Sequence, residues 1–202
     1  MTTFPVALAH DLPPGRVQRA FAGGRDLVLW RSASGRAMAW DNRCPHRGMR
    51  LSHGFVRGER LACLYHGWQY GTEAACAHIP AHPDLAPPAT IRAAAYDLAE
   101  AGGVIWVADE GYADPPDMPL AVMPLRSLTF RCDLATLAWA CGLEPAPLLF
   151  LPEHPSLVIA PNPLGPDRTE AHVLTAPLHA ADRIAAIHQT EALRRLAEEA
   201  AG

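Results

Sequence analysis

Two short runs hold the residues that could do chemistry: Cys44-Pro45-His46-Arg47-Gly48 and Cys63-Leu64-Tyr65-His66-Gly67-Trp68. Each run offers one thiol and one imidazole, and sixteen residues separate His46 from Cys63. Thiolate sulfur and neutral imidazole are both metal donors. Gly48 and Gly67 follow the two histidines closely and give each loop freedom to turn tightly. Two metal groups take this inventory. A [2Fe–2S] cluster with mixed ligation places two Cys on one iron and two His on the other, so both loops must close over it. A structural zinc ion takes four such donors in a tetrahedron. Four residues buried without metal account poorly for two matched loops.

Residues 40–70, WDNRCPHRGMRLSHGFVRGERLACLYHGWQY, resemble the Rieske domain of the alpha subunits of Rieske non-haem iron oxygenases of the aromatic-ring-hydroxylating type. The resemblance implies one [2Fe–2S] cluster per chain, with Cys44 and Cys63 on one iron and His46 and His66 on the other. It continues more loosely from Phe4 to Glu110, through Ile79-Pro80-Ala81-His82 and Gly103-Val104-Ile105-Trp106-Val107. Rieske proteins of respiratory cytochrome bc complexes add a disulfide between the loops. Met49 and Tyr65 stand at those positions, so no such clamp forms here. Those proteins also carry Ser after the His-Gly pair, where this chain has Trp68.

Composition bounds the rest. The chain has 202 residues, half of them hydrophobic and 19% charged, enough for a packed core in one large or two small domains. A formal charge of −4 leaves no basic footprint for nucleic acid. Twenty prolines suit a β-rich fold with many short connections. No apolar run is long enough for a membrane span, and Met1-Thr2-Thr3-Phe4-Pro5 is no leader, so the expectation is a cytoplasmic protein without a membrane partner. Cys76, Cys132 and Cys141 read as small buried hydrophobes.

The elements that must position the two runs read as short strands. Asp26 to Arg31 and Arg36 to Trp40 form a hairpin about Ser34-Gly35; Leu61 to Leu64 and Trp68 to Tyr70 flank the second run. Thr90 to Leu98 and Val104 to Val107 close the module as strands. The expected fold is mainly β: a Rieske-type antiparallel module over residues 1–110, a linker over 111–119 (GYADPPDMP), and a small α+β domain over 120–202 that resembles a truncated helix-grip. In that last part Ser127 to Leu134, Leu157 to Ala160 and Thr169 to Thr175 read as strands. Asp182 to Ala200 reads as a helix capped by Asp182, with Ile184, Ile187, Leu193, Leu196 and Ala200 on one face. Trp68 and Tyr70 read as packing beneath the metal group.

The resemblance weakens after the linker. Oxygenase alpha subunits hold a catalytic iron with Asp-x-x-His-x-x-x-x-His and a later carboxylate. Here Asp133 is followed by Leu134, Ala135 and Thr136, and no His comes before His154. His78, His82 and Asp84 offer two imidazoles and a carboxylate, but Pro80 and Pro83 prevent the helix that would align them. Glu153-His154 reads as a loop between prolines. Catalytic residues are therefore not assigned. Three functions fit: a Rieske electron-transfer protein or subunit that takes electrons from a reductase or ferredoxin and passes them to an oxygenase subunit; a complete oxygenase with an unorthodox iron site using His154, His172, His179 or His188; or a redox-sensing regulatory subunit. By analogy with the family's trimers, a homo- or hetero-oligomer suits the first.

Fewer hydrogen bonds to cluster sulfur leave the more positive oxidised state better stabilised. Protein-film voltammetry is therefore expected to give a midpoint of roughly −150 to 0 mV, and a value near about +300 mV would overturn the expectation.

Overall fold

The computed structural model describes residues 2–118 and 121–202. Met1, Pro119 and Leu120, which include the end of the expected linker and the start of the expected second domain, lie outside the described residues. The first half contains β1 (Thr3–Leu8), β2 (Val17–Ala22), β3 (Arg25–Arg31), β4 (Ala37–Asp41), β5 (Phe55–Arg57), β6 (Arg60–Ala62), β7 (Gln69–Gly71) and β8 (Cys76–His78). It closes with β9 (Ala95–Tyr96), β10 (Leu98–Ala101) and β11 (Val104–Ala108). The second half contains β12 (Met123–Phe130), α1 (Leu134–Ala140), β13 (Leu149–Phe150), β14 (Leu157–Gly165), β15 (Arg168–Thr175) and α2 (Ala180–Ala201). Every strand pair is antiparallel, as expected for a mainly β fold with a C-terminal helix.

Two sheets carry the metal-binding runs. One has the order β2-β3-β4-β9, the other β5-β6-β7-β8. Leu27 to Trp30 are all buried, so β3 is covered on both faces, which is why its sequence is a continuous apolar run rather than an alternation. The two sheets are tied at one end. Ala33 N–H donates to the Gly58 carbonyl at 3.0 Å, and Ser34 N–H donates to the Glu59 carboxylate at 2.8 Å, which joins the β3–β4 turn to the β5–β6 turn. The run after β4 and the run after β6 therefore leave from the opposite end, together.

The halves share a core. Leu8, Val104 and Trp106 pack with Leu148, Val158, Ala160 and Leu174. All but Leu148, which precedes β13, belong to the sheets β1-β11-β10 and β12-β15-β14-β13. Burial of each such side chain contributes roughly 1.5–3 kcal/mol. Asn162 on β14 adds a hydrogen bond from its amide to the Phe21 carbonyl at 2.8 Å.

Several boundaries differ from the sequence reading. Thr90 to Leu98 is not one strand: after Pro87-Pro88 the chain makes a lone bridge at Arg92 and pairs with β4 only at Ala95 and Tyr96. Ser127 to Leu134 is a strand only to Phe130, because Asp133 accepts from Thr136 N–H at 2.7 Å and caps α1. Asp182 is not the cap of α2; His179 occupies that position and Asp182 lies in the first turn. The buried stripe of α2 is Ala186, Thr190 and Ala197, with Ile187 and Leu193 partly covered, whereas Ile184 and Leu196 are exposed. Small residues let the helix sit close, and the larger side chains turn outward.

His172 on β15 is buried at the seam between the halves, where β12 and β15 meet β1, its Nδ1 2.8 Å from Ser127 Oγ. Burial takes its pKa down to about 4, against the opposing pull of the Pro5 carbonyl. The unfolded chain binds that proton near pH 6.5, so protonation favours unfolding below that point. Stability is expected to fall by about 3 kcal/mol between pH of about 6.5 and about 4 on this account. Denaturant melts of wild type and His172→Gln check it: the variant loses that part of the pH slope.

Candidate metal centre

The two runs adopt the same closed loop. Cys44 N–H donates to the Met49 carbonyl at 2.8 Å, and the Cys44 carbonyl accepts from Gly48 N–H at 2.8 Å. Cys63 N–H donates to the Trp68 carbonyl at 2.9 Å, and the Cys63 carbonyl accepts from Gly67 N–H at 3.0 Å. Each cysteine thus closes its own loop with both backbone groups. The fifth residue must reverse the chain, and Gly48 and Gly67 do so at φ of +73° and +69°. His46 is third in its loop and His66 fourth in the other.

Second supports fix how the loops meet. Buried Asn42 donates to Asp26 Oδ1 at 2.9 Å, and its own Oδ1 accepts from Ser52 N–H at 2.7 Å, so it clasps both ends of the first loop. Burial works against the Asp26 carboxylate, but hydrogen bonds from Arg19 and Asn42 hold it below its ordinary pKa. At Gly54, a Cβ would stand 2.2 Å from the Ala62 carbonyl oxygen. The tail of the first loop is pressed onto the strand that leads into the second.

The four candidate donors divide by depth. Cys44 and Cys63 are 4% and 2% exposed, His46 is half-buried and His66 exposed. Burial pushes the Cys63 thiol up, helped by the neighbouring Cys44. A metal must therefore displace that proton to bind, as it does at thiolate sites. The His46 and His66 rings meet edge to face, centroids 4.8 Å apart at 64°. Trp68 stacks on His46 at 4.1 Å and 5°, and Tyr65 leans on His66 at 3.9 Å. The imidazole planes are thus set by aromatic neighbours. Two sulfurs at the base and two nitrogens at the rim fit a group with two metals of different preference.

Tyr70 does more than pack. Its Oη lies 3.1 Å from Cys44 Sγ in the buried core. Burial, then the contact with Cys44, pushes its pKa up, so it stays a hydroxyl. Against a thiolate only the hydroxyl can donate. The residue types alone gave no signal of this contact, because it depends on register between β7 and the first loop. Cys76, Cys132 and Cys141 are buried and free.

The other sequence candidates do not gather. His78 ends β8, while His82 and Asp84 are exposed in the turns after it. Glu153 and His154 lie in a turn between β13 and β14, with His154 N–H donating to the Leu151 carbonyl at 3.1 Å. His172 sits in the seam, His179 precedes α2 and His188 is exposed on it. Among the described residues no three His, Cys, Asp or Glu converge as one metal ion would require. No helix among them is long and apolar enough to cross a membrane.

Residues 2–91 match the family Rieske [2Fe-2S] domain. The chain is 41% identical over 122 residues to oxidoreductase NdmD of Pseudomonas putida, covering 59% of this chain and 20% of NdmD. It is 38% identical over 122 residues to 4beta-methylsterol monooxygenase of Methylococcus capsulatus, covering 57% of this chain and 32% of that protein. It therefore spans no more than a third of either relative's length. Among solved structures, apo dicamba monooxygenase superposes with a TM-score of 0.73 at 17% identity, over 99% of this chain and 84% of that one. Pseudomonas putida CBB5 NdmB gives 0.70 at 19% identity, over 97% and 81%. At such identities these likenesses speak for the fold, and they include the second half.

A hydrogen bond donated to the Cys44 sulfur favours the more negative reduced state. Tyr70→Phe is expected to lower the midpoint potential by about 40 mV, the one-electron equivalent of about 1 kcal/mol. Voltammetry of the loaded variant checks it, and an unchanged potential would show the contact to be packing alone.

Proposed function

We propose, from the premise that residues 2–91 are a Rieske [2Fe-2S] domain with relatives among Rieske oxygenase components, that this chain is a one-electron carrier. It takes electrons from a cytoplasmic reductase or ferredoxin and hands them to a catalytic iron on another chain. Cys44 and Cys63 hold one iron, His46 and His66 the other, in a single [2Fe–2S] cluster per chain. Residues 1–110 carry the cluster and residues 120–202 serve as the scaffold against which that module is fixed.

The observation that carries this reading is the division by depth within the paired loops: thiols at 4% and 2% exposure, an exposed imidazole at the rim. A bound cluster supplies one-electron chemistry at a potential set by its ligands, hydrogen bonds and exposure. The chain's residues do the rest. The buried cysteines exclude water from the sulfur side. Trp68 and Tyr65 hold the imidazole planes. His66 brings its ring to the surface, where a partner's redox centre can approach.

The second half supports delivery to another chain. Asp133, which could stand only at the first position of the family's iron motif and lacks its histidines, is spent capping α1. His154, His172, His179 and His188 stand on separate elements. Iron and acid-labile sulfide, counted on anaerobically purified protein, are expected at about two each per chain; about three irons would favour a complete oxygenase, and a lone zinc would overturn the reading. His66→Cys is expected to abolish the Rieske optical and paramagnetic spectra, and their retention would refute the ligand assignment.

A further inference from the structure

We propose that the rim around the His46 and His66 edge is a docking surface for the carboxylate-rich face of a protein electron partner. This rests on the electron-transfer reading above. The whole chain has a formal charge of −4, yet its ligand loops carry only positive formal charges. Arg43, Arg47 and Arg50 are exposed in and beside the first loop. No Asp or Glu occurs from Arg43 to Gly58 or from Arg60 to Gly71. Glu59, the one acid between them, lies at the far turn, where it accepts from Ser34.

The arginines are placed at the edge by contacts. The Arg43 guanidinium lies over Gly48, 3.4 Å from where a Cβ would stand. Arg47 is exposed and directly follows His46 in the chain. Arg50 is 3.6 Å from Asp26, a carboxylate already held by Arg19. The other acids nearest in sequence are Asp41, where β4 ends, and Glu73, which pairs with Arg36 at 2.8 Å.

The centre of this rim is apolar. Leu64 and Tyr65 are 56% and 55% exposed, and Tyr65 touches the His66 ring. Exposed apolar groups in one loop, with guanidiniums in and beside the other, make a surface of the kind that binds proteins transiently. The Debye length is about 8 Å at physiological ionic strength, so a partner near contact feels chiefly the arginines with their neighbours Asp26 and Asp41, and little of the acids beyond. An acidic face is drawn to this edge and turned toward it, while Leu64 and Tyr65 supply short-range contact. The second half, which holds much of the negative charge, repels the same partner and so disfavours wrong orientations.

The test uses the full, cluster-loaded chain and two small oxidants of opposite charge. Each reduced chain gives one electron to one hexacyanoferrate(III) anion or one tris(phenanthroline)cobalt(III) cation. The hexacyanoferrate rate constant is expected to fall about threefold or more between about 0.02 and about 0.3 M ionic strength, and the cobalt rate to stay flat or rise. Arg43→Glu with Arg47→Glu should flatten or reverse the first slope. Arg57→Glu, on the hairpin whose turn lies at the opposite end, should leave it unchanged. Arg47→Gln, a milder change, should give an intermediate slope. A hexacyanoferrate rate that rises with salt, as the net charge alone dictates, would overturn the proposal, as would an equal effect of Arg57→Glu. Redox-inert hexacyanochromate(III) gives an independent readout: it should broaden the amide signals of residues 50–54 in wild type and not in the double variant, and broadening confined to other surfaces would refute the site. Absence of the cluster spectrum would instead defeat the electron-transfer reading, leaving the hexacyanochromate result to decide the anion surface.

Discussion

The molecule depends on one constraint: two loops from different sheets must present sulfur at the bottom and nitrogen at the top of a single small volume. Each loop meets it by closing on its own cysteine. The Cys44 and Cys63 backbones both donate and accept within six residues, which fixes where each Sγ starts. Gly48 and Gly67 supply the reversal in the left-handed region, where a side chain would be strained. The loops are thereby shaped by their own hydrogen bonds and need only be brought together.

Bringing them together is the task of the sheets. The β3–β4 and β5–β6 turns are bonded to each other, which sends both ligand loops to the other end. Gly54 lies so close to the Ala62 carbonyl that no side chain fits between the loops' supporting segments. Asn42 satisfies backbone and side-chain partners on both sides of the first loop. The apolar layer below, with Trp30, Trp40, Leu51, Leu61 and Tyr70, is continuous with the two cysteines. Packing and ligand placement are thus one arrangement, and the hydroxyl of Tyr70 gives that layer a direct hold on a ligand sulfur.

The second half is joined to the first by burial. Leu8, Val104 and Trp106 meet Leu148, Val158 and Leu174 in one cluster, and His172 on β15 is buried too, which takes its pKa down to about 4. An edge carrying Arg43, Arg47 and Arg50 therefore keeps a fixed orientation relative to the acidic remainder of the chain. In the proposed docking, that separation of charge gives a partner a preferred direction of approach.

The sequence by itself singled out Cys44, His46, Cys63 and His66 as candidate donors, because thiols and imidazoles are chemically specific and their loops are local in the chain. It also determined the antiparallel β character and the presence of the last helix, since these follow from alternating or continuous apolar runs and turn residues. It did not determine α1, a seven-residue helix whose only advance signal was Asp133 before Thr136. Nor did it determine which face of α2 is buried. Ile184 and Leu196 have the periodicity of a core face, but the fully buried residues of α2 are Ala186, Thr190 and Ala197, with Ile187 and Leu193 partly covered. Tyr70 against Cys44, Asn42 across the first loop and the stacking of Trp68 on His46 all join residues through register between strands. Register is a property of the assembled sheets, so only the tertiary structure could decide them.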